Sequence, residues 1–210
     1  MSKLILASAS PRRKELLEQV GLSFSVFPVE IDETPSPEEP ARDYVRRMAR
    51  EKADCAWRRY QRVWQPEGSG TCENGERHIM LAADTSVILD DDIFGKPVDR
   101  ADFERMMRRL SGRQHKVVTS VYLIEGQPAT GSMRLNSSGL SVTTNVNFKP
   151  LSDVEIDAYW QTGEPKDKAG GYGIQGKGAV LVEGIEGSYS NVVGLPLTET
   201  SELLAQFDIT

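Results

Sequence analysis

An apolar run, Leu4-Ile5-Leu6-Ala7, breaks into Ser8-Ala9-Ser10-Pro11-Arg12-Arg13 and then into an amphipathic stretch, Lys14 to Val20, closed by Gly21. The order is strand, polar turn, helix. Ser10 is placed to cap the helix, Pro11 suits its first turn because the missing N–H would be unpaired there, and Gly21 fits the left-handed position after its end. The hydroxyls of Ser8 and Ser10, free backbone N–H groups and the guanidinium groups of Arg12 and Arg13 therefore meet at one point. A polyphosphate suits that point, since helix dipole, orphan donors and arginine forks all favour clustered phosphate oxygens. The alternative is a pair of solvated first-turn arginines, although cations at a helix N-terminus oppose the dipole.

The rest of the chain keeps alternating. Ser23 to Ile31 reads as a strand that delivers Asp32-Glu33 to a proline-rich loop, and Ala41 to about Tyr60 has helical spacing with an apolar face. Residues 65–78 read as a mobile polar surface loop. Ile79 to Ala83 is expected as a buried strand ended by Asp84-Thr85, with Ser86 to Leu89 as another, and Asp90-Asp91-Asp92 as a solvated hairpin tip. Asp99 is placed to cap a helix to Leu110 that Ser111-Gly112 stops. Val117 to Glu125 and Gly139 to Phe148 are expected to pair as neighbouring strands. Ser152 and Glu155 form a capping-box signature for a helix to about Gln161, and Thr198 to Phe207 supplies a last short helix. The class is α/β with a mixed sheet, because adjacent strands in places lack crossover helices.

The sequence also excludes functions. No apolar run approaches the length of a membrane span, and the start lacks the pattern of a secretory signal, so cytoplasmic residence is the expectation. A net charge of −6 argues against broad binding to nucleic acid or anionic membrane. Cys55 and Cys72 fit no disulfide framework or metal pattern, and His78 and His115 fit no zinc site and read as structural or exposed.

Two constellations could carry chemistry. The segment Gly163 to Gly178 is rich in glycine and lysine, which lets backbone N–H groups and point charges approach phosphate, yet it matches no standard nucleotide fingerprint; its other reading is a flexible connection. Glu33 and Asp84, at expected strand ends, are oxygen ligands of the kind that hold a partly hydrated Mg²⁺; for Asp84 the other reading is a turn cap.

These residues together resemble the Maf-like nucleoside triphosphate pyrophosphatases. The resemblance rests on Leu6 to Arg13, Asp32-Glu33, Glu51-Lys52-Ala53, Ala83-Asp84-Thr85, Gly95-Lys96-Pro97, Leu110-Ser111-Gly112, Asp167 to Gly176 and Gly187 to Pro196, in the family's order. It implies one domain over residues 1–210, with a polar insertion at about 61–78. The implied fold is a mixed twisted sheet with flanking helices, in two lobes around a central cleft, as in inosine triphosphatase. The implied activity is hydrolysis of a nucleoside triphosphate to monophosphate and pyrophosphate with Mg²⁺ or Mn²⁺ near Glu33 and Asp84. Asp84 would be the general base, and Arg13, Lys52, Lys96 and Lys168 would neutralise the phosphates. Arg12, Thr85 and Gln175 resemble the branch acting on dTTP and UTP; a branch acting on 7-methyl-GTP typically has tryptophan, glutamine and glutamate there. The Gln175 amide suits O4 and N3–H of uracil or thymine, and when flipped suits cytosine as well. The resemblance further implies a nucleotide as partner and often a homodimer, while charge and hydropathy argue for no nucleic acid and no membrane. A nucleotide-sensing regulator of cell division with incidental hydrolysis is the competing reading.

Overall fold

In the computed structural model, residues 2–64, 76–127 and 133–209 are described. The elements are β1 (Lys3–Leu6), α1 (Pro11–Gln19), β2 (Phe24–Val26), α2 (Ala41–Val63), β3 (His78–Leu89), β4 (Asp92–Phe94), α3 (Arg100–Leu110), β5 (Gln114–Gln127), β6 (Met133–Phe148), α4 (Asp153–Gln161), β7 (Val182–Glu186), α5 (Tyr189–Val193) and α6 (Leu197–Ala205). One mixed sheet runs in the order β2-β1-β3-β5-β6-β7, with β4 on the edge of β3. The strands β1, β2 and β3 are mutually parallel in their pairings, and β4, β5, β6 and β7 join antiparallel. Among the described residues no helix is long and apolar enough to cross a membrane.

Strand alternation sorts the core by face. Leu4, Leu6, Ile79, Leu81 and Ala83 pack with Leu16 and Leu17 of α1 and with α6, whereas Ile5, Ala7, Met80 and Ala82 pack against Ala53, Ala56 and Trp57 of α2. Further along the same strands the pattern repeats: Val87, Leu89 and Val117 meet Phe103, Met107 and Leu110 of α3, while Ile88 and Val118 meet Val45 and Met48 of α2. Helix α2 thus spans both halves.

Between the two halves lies a polar waist. Asp84, Thr85 and Ser86 of β3 stand in register with Ser120, Thr119 and Val118 of β5, and Ser120 in turn with Ser141 of β6. On its other edge β3 is paired by β1 up to Leu81 and by β4 from Val87, so no described strand covers residues 82–86 there. This gap in the sheet lies at the level of the polar waist.

Several expectations change in detail. Asp84 does not follow a strand but lies in the middle of β3, because β5 supplies ladder partners continuously from His78 to Ile88. The expected strand Ser23 to Ile31 shrinks to three residues, since β1 offers partners only to Phe24, Ser25 and Val26, and Pro28 has no N–H to continue the ladder. Ser10 occupies the cap position of α1, but its hydroxyl makes no capping bond. Helix α2 extends to Val63, and residues 65–75 of the expected surface loop, with Cys72, lie outside the described residues. Elsewhere the caps are as expected: Gly21 has φ +77°, Asp99 accepts from the Asp102 N–H at 2.8 Å, and Ser152 with Glu155 closes a full capping box. Both histidines are buried, His115 bonded to the Tyr172 hydroxyl at 2.7 Å and pushed down to about 4 by burial.

Candidate active site

Neighbouring positions on a strand point to opposite faces, and at the waist β3 uses this to serve two clusters. Asp84 shares the face of Met80, Ala82 and Ile88, which α2 covers. There Lys52, between the two apolar contacts of that helix, places its ammonium 2.6 Å from Asp84 Oδ1 and 2.6 Å from Glu33 Oε1. The side chains of Lys52 and Asp84 are largely buried, and that of Glu33 is half exposed. Burial would raise the Glu33 carboxyl, but the hydrogen bond and charge of Lys52, with Lys96 and Arg13 further off, hold it below the usual carboxylate range.

The loop that presents Glu33 is itself tied to α2. The Tyr44 hydroxyl donates to the Glu33 carbonyl at 2.8 Å, and Arg47 binds both oxygens of Glu39 at 2.7 Å while reaching the Thr34 carbonyl at 3.2 Å. Burial, and the charges of Asp84 and Glu33, push the Tyr44 hydroxyl up to about 12, so it stays a donor.

Thr85 faces the other way, towards α1. Arg13 uses three nitrogens there: Nε to the Gly194 carbonyl at 2.9 Å, Nη1 to the Ser8 hydroxyl at 3.1 Å and Nη2 to the Thr85 hydroxyl at 3.1 Å. Thr119 donates to the Asn191 carbonyl at 2.9 Å, so in the 3.0 Å contact between the two threonines Thr85 is the donor. Asn191 anchors this side by donating to the Val117 carbonyl and to Thr144, both at 3.0 Å. Burial lowers the affinity of Arg13 for its proton and the Asp84 charge opposes that shift; a guanidinium so fixed remains a cation with a set direction.

Lys96 is exposed in the turn after β4, whose loop is held to the glycine segment by the Gly170 N–H donating to the Gly95 carbonyl at 2.9 Å. Lys168 bonds Asp167 at 2.7 Å, and Arg12 lies 3.7 Å from the same carboxylate. Gln175 is exposed and makes no hydrogen bond to the described residues. Ser10 donates its backbone N–H to the Ser8 hydroxyl at 3.2 Å.

The structure therefore joins Asp84, Glu33 and Lys52 directly, and Arg13, Ser8 and Thr85 directly. It leaves Lys96 and Gln175 exposed and Arg12 partly buried beside Asp167. Thr119, Asn191, Tyr44 and Arg47 were missed in the sequence. Asn191 lies in a block that carried the resemblance, and Tyr44 and Arg47 looked like ordinary face residues of a helix.

Residues 3–207 match the family described as Maf-like protein. The chain belongs to that family. A relative from Chromobacterium violaceum named dTTP/UTP pyrophosphatase is 48% identical over 98% of this chain and 95% of its own. One of the same name from Shewanella sp. (strain MR-7) is 49% identical, over 98% of each chain. A solved HAM1 protein from Coxiella burnetii is similar at 16% identity with a TM-score of 0.47, over 98% of this chain and all of that one. In this Maf-like protein, residues from four of the quoted blocks meet at Asp84 and Thr85: Glu33 and Lys52 at the first, and Ser8 with Arg13 at the second.

Proposed function

We propose that this Maf-like protein hydrolyses dTTP and UTP to the nucleoside monophosphate and pyrophosphate. The observation that carries the reading is the Lys52 ammonium held between Asp84 and Glu33 at the unpaired edge of β3, with Arg13 fixed nearby. Two carboxylates and fixed cations at one opening suit a reaction in which water is activated and a polyanion departs. The near full-length relatives named for dTTP and UTP support the choice of substrate.

Asp84 is the general base in this reading, accepting a proton from water aimed at the α-phosphorus. Arg13, Lys52, Lys96 and Lys168 bind the triphosphate and take up the charge that grows on the departing pyrophosphate. Because an ordinary carboxylate is a weak base near neutral pH, positioning and charge stabilisation supply most of the rate. Arg12, Thr85 and Gln175 set base preference.

No group of three or more potential metal-ligating side chains occurs among the described residues. The donor set still fits a hard divalent ion, since Mg²⁺ is commonly held by one or two carboxylates, with waters and substrate phosphates completing the shell. Glu33 and Asp84 would hold it, and when bound it would polarise phosphate oxygens and lower the pKa of water. Cytoplasmic residence and a homodimer complete the proposal.

The test is chromatographic product analysis across ribo- and deoxynucleoside triphosphates and 7-methyl-GTP with Mg²⁺ or Mn²⁺. The wild type is expected to release dTMP and UMP with pyrophosphate. Asp84→Asn should lose turnover by about a hundredfold or more, with nucleotide affinity within a small factor. Binding without turnover in the wild type would favour a nucleotide sensor.

A further inference from the structure

Glu164 has no role in the site described above, yet the loop bearing Lys168 and Gln175 is wrapped around it. Its Oε1 accepts from the Tyr159 hydroxyl at 2.8 Å and from the Gly178 N–H at 3.2 Å, and its Oε2 accepts from the Lys177 N–H at 2.8 Å. Its backbone carbonyl accepts from the Lys168 ammonium at 2.9 Å. The Tyr159 hydroxyl accepts in turn from the Gly173 N–H at 3.0 Å. Tyr159 and Glu164 thus hold the backbone on both sides of Gln175, at Gly173 and at Lys177 and Gly178.

The packing is as specific as the bonding. A Cβ added at Gly176 would lie 2.3 Å from Glu164 Oε2, so the loop closes on the carboxylate only with glycine there. Gln175 makes no side-chain bond to the described residues, which leaves its amide to be directed by the backbone alone. A carboxylate is the one side chain of this size that accepts at both oxygens; glutamine would turn an N–H₂ towards backbone N–H donors.

We propose that Glu164 is a positioning residue for nucleotide recognition, holding residues 173–178 so that Gln175 meets the base while its carbonyl steadies Lys168 for the phosphates. The substrate part of this proposal rests on the pyrophosphatase reading. Burial would raise the Glu164 carboxyl, but bonds from Tyr159, Lys177 and Gly178 and the charge of Lys168 hold it below its ordinary range, so it stays ionised near neutral pH. A residue that only stabilised the fold would depress every substrate alike. One that aims Gln175 changes the ratio between bases.

The experiment compares wild type, Glu164→Gln, Tyr159→Phe and Gln175→Ala for kcat and KM on dTTP, UTP, CTP and GTP. Amide hydrogen exchange over residues 173–178 and thermal denaturation are measured on the same proteins. Glu164→Gln is expected to raise KM for dTTP about tenfold, with a smaller change in kcat. Its preference for dTTP over CTP and GTP should collapse towards that of Gln175→Ala. Exchange at Lys177 and Gly178 should accelerate while the melting temperature moves by a few degrees at most. Tyr159→Phe should act in the same direction through Gly173, and it carries the test if Glu164→Gln does not fold. An equal loss on all four nucleotides with the wild-type preference intact would overturn the proposal, as would unchanged exchange at Lys177 and Gly178. If the wild type cleaves neither dTTP nor UTP, or Gln175→Ala keeps the wild-type ratios, the substrate reading fails instead. The exchange result then decides alone whether Glu164 holds the loop.

Discussion

Lys52 does two things that a lysine on a helix face rarely combines: it fills the seam between two apolar contacts of α2 and it separates two carboxylates that would otherwise repel. Replacing it with methionine keeps the bulk and removes the charge. The carboxylates then face each other without a cation, and the pKa of Glu33 rises because the largest influence opposing its burial is gone. An acid that must be ionised to work loses activity as pH falls through its pKa. The acidic limb of the pH–rate profile in Lys52→Met should therefore move to higher pH by about one unit or more. An acidic limb at its wild-type position, with only the plateau lowered, would mean that Lys52 serves the phosphates and not the carboxylates. At this scale the sequence was legible for the charged side chains that the fold brings together and illegible for those that hold them in place. Asp84, Glu33 and Arg13 advertise charge, whereas Thr119 and Asn191 act through contacts across 72 residues of chain that no local pattern records.

At the scale of elements, caps and turns followed from local chemistry. Gly21, Asp99 and the Ser152 and Glu155 pair are each decided by residues within one turn of the helix end. The length of β2 and the unbroken run of β3 are decided by partners, and so were misjudged. The segment read as a possible flexible connection instead folds into short 3-10 turns at Glu164–Asp167, Ala169–Gly171 and Lys177–Leu181. Its anchor is Gly170, with φ +68° and a Cβ position 2.8 Å from the Val87 side chain. Gly21 has a similar backbone angle but open space around it. Alanine at Gly21 should cost about 1 kcal/mol from backbone strain alone, and alanine at Gly170 about 2 kcal/mol or more because overpacking adds to it. Chemical denaturation of both variants measures the difference, and equal losses would show that the loop yields freely at Val87.

For the whole molecule, the decisive feature is the interruption of one sheet edge. Two apolar halves share the long strands β3 and β5, and both strands turn polar at the same level, where β1 has ended and β4 has not begun. A continuous ladder on one edge holds the strand, while Asp84, largely buried beneath α2, pairs with Lys52 at the level where the other edge is open. The α/β class with a mixed sheet was legible in the alternation of strand and helix patterns, but the gap is a property of where two short strands stop relative to a long one, which only the assembled sheet reveals. In the proposed reaction, water activated by Asp84 attacks the α-phosphorus and pyrophosphate leaves. Hydrolysis of dTTP in ¹⁸O-labelled water, read by mass spectrometry, tests this most directly. The expected result is one labelled oxygen in dTMP and none in pyrophosphate, with the labelled product nearly absent in Asp84→Asn. Label in pyrophosphate, or release of orthophosphate with dTDP, would contradict it.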